Sequence, residues 1–256
     1  MQATAFEYRH RYLIHGLIYT LGFAAPWALL LPAPYHAPAW SFMQNSSVWF
    51  LLANTLSKPL YTYFAQYWNA VLVVMVICAA AGAWLRTWGA AYLGASTVQR
   101  GGMVGDRVVA DGPYRYVRNP LYLGTLLNSV ALAFLMRADG AVLTLVLLIV
   151  VQLRLIGREE PYLQERLGDT YISYLQAVPR LLPALRPQAG GGAHRPDWRQ
   201  GVLSEVYVIG TALSMALLGW SRGFGWEGSV LRVVQGIVVS LGVSLVARAF
   251  IPKATY

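Results

Sequence analysis

Two short stretches of this sequence carry groups able to bind and orient a charged small molecule. The first is Gly112-Pro113-Tyr114-Arg115-Tyr116-Val117-Arg118-Asn119-Pro120-Leu121-Tyr122-Leu123-Gly124. Asn is a strong N-cap and Pro suits the first helical position, so Asn119-Pro120 predicts a helix start with unpaired backbone N–H groups. Such an end attracts anions, and Arg118 beside it adds a full positive charge. Gly124, one turn in, lets another backbone or a ligand come close, although small residues also serve helix packing in membranes. The second stretch is Arg154-Leu155-Ile156-Gly157-Arg158-Glu159-Glu160-Pro161-Tyr162-Leu163. Adjacent glutamates repel one another and need a local cation, either Arg154 and Arg158 or a bound ligand.

The elements that must position these groups follow from composition. Of 256 residues, 57% are hydrophobic, 13% aromatic and 12% charged, against a usual charged share of about 25%. Too little polar surface remains to cover a globule in water, and the chain reads as an all-α integral membrane protein. Apolar runs at about 13–31, 64–85, 120–136, 140–157, 202–220 and 229–250 predict about six transmembrane helices. Only Arg137-Ala138-Asp139-Gly140 separates the third from the fourth, which forces an antiparallel hairpin. The hairpin returns Glu159-Glu160 to the face that holds Arg118-Asn119. An anion-attracting helix end then faces a pair of carboxylates, which suits a zwitterion with an extra cation. S-adenosylmethionine is such a ligand: its carboxylate matches the helix start and Arg118, and its ammonium and sulfonium match the glutamates.

The net charge of +9 comes from 20 basic and 11 acidic residues, and 18 of the basic ones are arginine. They fall between apolar runs, as membrane topology and anionic lipid produce, and not in a nucleic-acid-binding pattern. With the N-terminus in the cytoplasm, 16 basic residues lie on that side, including Arg86, and three on the other, Lys58, Arg137 and Arg222. Both termini and the site are therefore expected at the cytoplasmic face. The first run lacks a small-x-small cleavage site and is expected to be a retained helix. Cys78, the single cysteine, excludes an internal disulfide and a thiolate metal site.

Ala95–Gln99 and Arg107–Ala110 flank a turn-rich segment and predict a small β-hairpin, residues 158–185 an amphipathic helix, and residues 46–57 a short interfacial helix. The chain divides into membrane helices at 1–83, a core with the site at 84–185, a linker at 186–201 and a last pair of helices at 202–256. His15, Asn128-Ser129 and Gln152, polar residues inside spans, are expected to be satisfied by interhelical hydrogen bonds. Asn128 lies near enough to the site to line an acceptor cavity as well.

Taken together, the Gly112–Gly124 stretch, the Glu159-Glu160-Pro161-Tyr162-Leu163 stretch with Tyr171 and Tyr174, and Val178-Pro179-Arg180-Leu181-Leu182-Pro183 resemble the isoprenylcysteine carboxyl methyltransferase and phospholipid methyltransferase group of integral membrane enzymes. The likeness covers about residues 84–185, with Trp88 and Tyr92-Leu93-Gly94 upstream. It implies an enzyme that binds S-adenosylmethionine at the cytoplasmic surface under an amphipathic C-terminal helix, with a lipophilic acceptor entering from the bilayer. Carried over, the cofactor falls to Arg118, Pro120, Tyr122, Glu159 and Glu160, with Tyr114, Asn119 and Gly124 in the same stretch. The acceptor falls to Arg154, with Asn128 beside it. Where the family commonly has His, this chain has Asn119, which hydrogen-bonds but does not titrate, so a histidine-based proton role is not carried over at that position.

Methyl transfer from a sulfonium needs alignment, a dry site and charge placement, and no metal. A carboxylate acceptor would need no base and would suit a two-pronged contact from Arg154, which tilts the reading toward an isoprenylcysteine-like acid. A phospholipid amine would need a base, for which Glu159 is the nearest candidate. An NADPH-dependent membrane reductase and a non-enzymatic membrane protein are the other readings. Oligomeric state is left open.

Overall fold

The computed structural model describes residues 2–29, 47–58, 63–99, 107–191, 194–220, 225–247 and 249. These are all-helical, with no strand among them; the one isolated bridge joins Ser47 to Arg137. The helices are α1 (Ala5–Arg9), α2 (Arg11–Leu29), α3 (Val48–Ser57), α4 (Phe64–Leu93), α5 (Ala95–Gln99), α6 (Pro120–Ala133), α7 (Ala138–Leu167), α8 (Asp169–Ala177), α9 (Trp198–Ser204), α10 (Val206–Leu213) and α11 (Gly225–Ala247).

Among the described residues, three helices are long and apolar enough to cross a membrane: α4, α7 and, from Gly228, α11. A fourth span results if α9 and α10, bent by 71° at their junction, count as one. The expectation of six spans is thus met in part. Helix α6 is 14 residues long and ends at Ala133, short of the run to 136. Residues 30–46, which hold the end of the first apolar run, lie outside the described residues.

Helix α4 is the hub, packing on α3, α6, α9 and α10. Its crossing with α6 is set by glycine: a Cβ on Gly82 would come within 2.7 Å of the Gly124 carbonyl, and one on Gly124 within 2.8 Å of the Gly82 carbonyl. Two backbones touch there, the arrangement that small residues permit between apolar helices. The buried core below this crossing holds Trp49, Leu72, Met75, Met136 and Met215. Trp49 stacks on Trp68 with ring centroids 3.9 Å apart and donates to its carbonyl at 3.0 Å. The first amides of α3, Val48 and Trp49, donate to the carbonyls of Met136 and Phe134 past the end of α6, so each helix end satisfies the other.

Three local expectations are corrected. Ala95–Gln99 is a helical turn and Arg107–Ala110 is no strand; the Ala95 amide is capped by Gln200 Oε1 at 3.1 Å, and Thr97 and Val98 bond back to Gly94. The middle of the predicted hairpin, 100–106, lies outside the described residues. Residues 158–185 are not one helix. Helix α7 runs through Pro161 to Leu167, Gly168 breaks it with a φ of 58°, and α8 follows. Arg86 lies inside α4 and not in a connecting segment. The predicted helix at 46–57 is present as α3.

Candidate active site

Helix α6 starts at Pro120 with Asn119 before it, but the Asn119 side chain makes no cap bond. It donates to the Arg180 carbonyl at 3.2 Å instead. That contact belongs to a strap: after α8 the chain folds back along residues 115–118, with Arg118 N donating to Pro179 O at 2.9 Å, Ala184 N to Tyr116 O at 2.9 Å and Gln188 N to Arg115 O at 2.8 Å. The tyrosines of α8 lie beneath it, and the buried Tyr174 hydroxyl donates to the Tyr114 carbonyl at 2.8 Å. Burial pushes the Tyr114, Tyr171 and Tyr174 hydroxyls above their usual range, so they stay protonated donors.

The two glutamates part company. Glu160, 6% exposed, sits between guanidiniums: Arg118 Nε is 3.2 Å from Oε1, Arg180 Nε 3.3 Å from Oε1, and Arg180 Nη2 donates to Oε2. These cations are not the Arg154 and Arg158 expected. Arg118 also donates to the Leu175 carbonyl, which ties α6, α7 and α8 together. Glu159 accepts from the Tyr8 and Tyr122 hydroxyls. Burial and then the Glu159 carboxylate push the Tyr8 hydroxyl above its usual range, which keeps it a donor.

Between these groups lies a cavity of about 580 Å³, inside the ~300–1,000 Å³ range of small-molecule sites. Its wall includes Tyr114, Arg118, Asn119, Pro120, Tyr122, Glu159 and Glu160, so seven of the predicted residues converge. Three do not line it. Gly124 is consumed by packing, with its absent Cβ 2.5 Å from the Arg86 side chain. Asn128 is buried behind the α4–α6 crossing. Arg154 is held by Glu7, through Nε to Oε1 at 3.1 Å and Nη2 to Oε2 at 2.9 Å. Arg158 donates to the Ala3 carbonyl at 2.9 Å, so both arginines fasten the N-terminal segment to α7.

Sequence reasoning missed the wall opposite. Tyr8, Arg11, Tyr12, His15, Gly16 and Tyr19 all line the cavity. The signal was present, since positions 8, 11, 12, 15 and 19 recur at helical spacing and mark one polar stripe in an apolar segment. The other side of α2, with Leu13, Leu17 and Leu21, is exposed, so this helix is polar inward and apolar outward. Arg86 of α4 is also on the wall, bound to Glu205 through Nε at 2.6 Å and Nη2 at 2.8 Å and donating to Thr125 Oγ1 at 2.5 Å. Glu205 is fully buried, a lone acid at the bend between α9 and α10.

The Arg-Asn-Pro helix start and the Glu-Glu helix end both fall in a stretch whose sequence matches a known family. Residues 70–170 match the phospholipid methyltransferase family. No curated protein and no solved structure matches the chain. The phospholipid methyltransferase segment takes in Arg86, the whole of Gly112–Gly124, Arg154, Glu159 and Glu160, and bears out the resemblance drawn from those motifs. The polar stripe of α1 and α2, the strap at 178–191 and Glu205 lie outside it, so part of the cavity wall comes from beyond the phospholipid methyltransferase segment.

Proposed function

We propose that the protein transfers a methyl group from S-adenosylmethionine to the polar head of a membrane amphiphile, and that the head is an amine. The observation that carries this reading is Glu159: a half-buried carboxylate on the wall of a cavity of small-molecule size, held by tyrosine hydroxyls while its neighbour Glu160 is clamped between guanidiniums. The donor set fits the cofactor. Glu159 presents negative charge to an ammonium or sulfonium, and the start of α6 presents N–H groups to a carboxylate. Glu160 positions Arg118 and the strap. When bound, S-adenosylmethionine supplies an electrophilic methyl on a sulfonium. The chain's own part is to hold the head in line, exclude water and take up a proton.

The carboxylate acceptor loses its support, because Arg154 is occupied by Glu7 away from the cavity. The family match to phospholipid methyltransferases and the cationic wall, with Arg11 and Arg107 on the cavity, favour a phosphate-bearing amine lipid. Gly16 on α2 and Leu241 and Leu245 on α11 line the outer part of the cavity and are themselves exposed, a path for an acyl chain. With both termini in the cytoplasm, as the arginine distribution favours, the cavity opens to the inner leaflet.

Methyl-labelled S-adenosylmethionine with vesicles of phosphatidylethanolamine and phosphatidylglycerol tests the reading. Label is expected in the amine lipid. Label confined to an added isoprenylated cysteine acid would overturn the amine assignment, and no label in any lipid would overturn lipid methylation.

A further inference from the structure

The Proposed function requires that an amine nitrogen lose a proton, and it leaves open where that proton goes. Glu159 is held by two hydroxyls at the motif end of the cavity. Asn119 does not titrate. The described residues include one imidazole on the cavity wall, His15, and its surroundings fix its form. Nδ1 lies 2.5 Å from the Arg11 carbonyl one turn back. A carbonyl only accepts, so Nδ1 carries the hydrogen, and in the neutral ring Nε2 is then an acceptor. His15 lies seven residues beyond Tyr8 on the same cavity wall, past the break between α1 and α2. Tyr8 is bonded to Glu159. A ligand anchored at Glu159 and extending along that wall therefore brings its far end to the imidazole.

We propose that His15 is the general base of the reaction, a catalytic residue that accepts the acceptor's proton at Nε2. This inference rests on the amine reading above. In balanced form, Nε2 takes one N–H proton from the acceptor's ammonium and frees its lone pair, which forms the C–N bond while the C–S bond breaks and leaves its pair on sulfur. The methylated product leaves as an ammonium, and the imidazolium releases its proton to water before the next turnover. The charged and titratable groups around His15 are Arg11, Tyr12 and Tyr19 on its own helix, Arg86 from α4 with its partner Glu205, and Tyr207 from α10. His10 supplies an internal contrast: its Nδ1 bonds the Phe6 carbonyl at 2.9 Å in the same way, but it does not line the cavity.

The test compares full-length wild type, His15→Gln and His10→Gln in the vesicle assay, with S-adenosylhomocysteine affinity measured by calorimetry on each. His15→Gln is expected to keep that affinity within twofold, to lose kcat by ~10²–10⁴-fold at pH 7, and to recover part of the loss as pH rises and the amine deprotonates unaided. His10→Gln is expected to match wild type. Nitrogen-15 NMR of labelled histidine, with the His15 signal assigned by its loss in the variant, is expected to show the Nδ1–H tautomer in the cofactor-free protein. Equal kcat in wild type and His15→Gln, an Nε2–H tautomer, or a loss of cofactor affinity that accounts for the lost turnover would each overturn the assignment. Wild type that binds S-adenosylhomocysteine but methylates no amine lipid would overturn the amine reading beneath it, a result separable from the others.

Discussion

At the motif end of the cavity, Glu160 lies between Arg118 and Arg180, and the strap at 178–191 hydrogen-bonds back onto residues 115–119. At the interior end, Arg86 reaches from α4 to Glu205 at the α9–α10 bend, and Tyr12 and His15 of α2 lie beside it. The ion pairs and strap bonds of the first end join residues of one stretch of chain, 114–188. The second is built from single residues on helices up to 119 positions apart. Under the proposed function, the motif end would fasten the cofactor and the interior end would shape the chamber for the acceptor.

Breaking the interior end should cost the most stability. Glu205→Ala leaves the Arg86 guanidinium buried without its bidentate partner, and removal of one member of such a pair costs ~3–5 kcal/mol. Thermal unfolding in detergent is expected to show a large drop for Glu205→Ala and a smaller one for the double replacement Arg86→Met with Glu205→Leu. Equal losses would mean that the pair contributes by packing and not by charge. Gly124→Val is next: its side chain would overlap the Arg86 stem and the Gly82 carbonyl, for ~1–3 kcal/mol. Unchanged stability there would show that α4 and α6 separate easily.

Those two positions also show what a single sequence can and cannot reveal. The helix start at Pro120, the return of α7 and the grouping of Arg118, Tyr122 and Glu159 were legible because capping, periodicity and a four-residue link determine them locally. Arg154 was misdirected, since nothing in its own neighbourhood reveals that Glu7, 147 residues away, would claim it. Gly124 had two readings and the α4 backbone decided for packing. His15 was assigned to interhelical bonding, whereas it bonds its own helix and faces the cavity. Ser129 does meet the expectation, at 2.6 Å from the Tyr19 hydroxyl of α2. Which face of a helix turns inward is a tertiary fact, and in a membrane protein the apolar face need not be the buried one.

At the motif end, the two glutamates should respond differently. Glu159→Gln is expected to weaken S-adenosylhomocysteine binding at least tenfold, ~1.4 kcal/mol, with thermal stability little changed. Glu160→Gln should instead lower stability through the loosened strap. A reversal of these phenotypes would exchange the roles of the two residues. The smallest effect concerns Glu7, whose hydrogen bonds from Arg154 and from the Thr4 backbone hold its carboxyl down to about 2. A carboxyl depressed in the folded state stabilises the protein above its ordinary value of 4.5, and that contribution fades as pH falls from there toward 2. The stability difference between wild type and Glu7→Gln should accordingly be small at neutral pH, since the pair is part-exposed, and vanish by about pH 2. A difference that grows on acidification would contradict the pairing.

The most direct test of the whole account is calorimetric titration of the detergent-purified protein with S-adenosylhomocysteine, with NADPH as the comparison ligand and Glu159→Gln as the comparison protein. One saturable site for S-adenosylhomocysteine, none for NADPH, and affinity reduced at least tenfold in the variant is the predicted result. Binding of NADPH alone, or S-adenosylhomocysteine affinity indifferent to Glu159, would contradict the assignment of this cavity to methyl transfer.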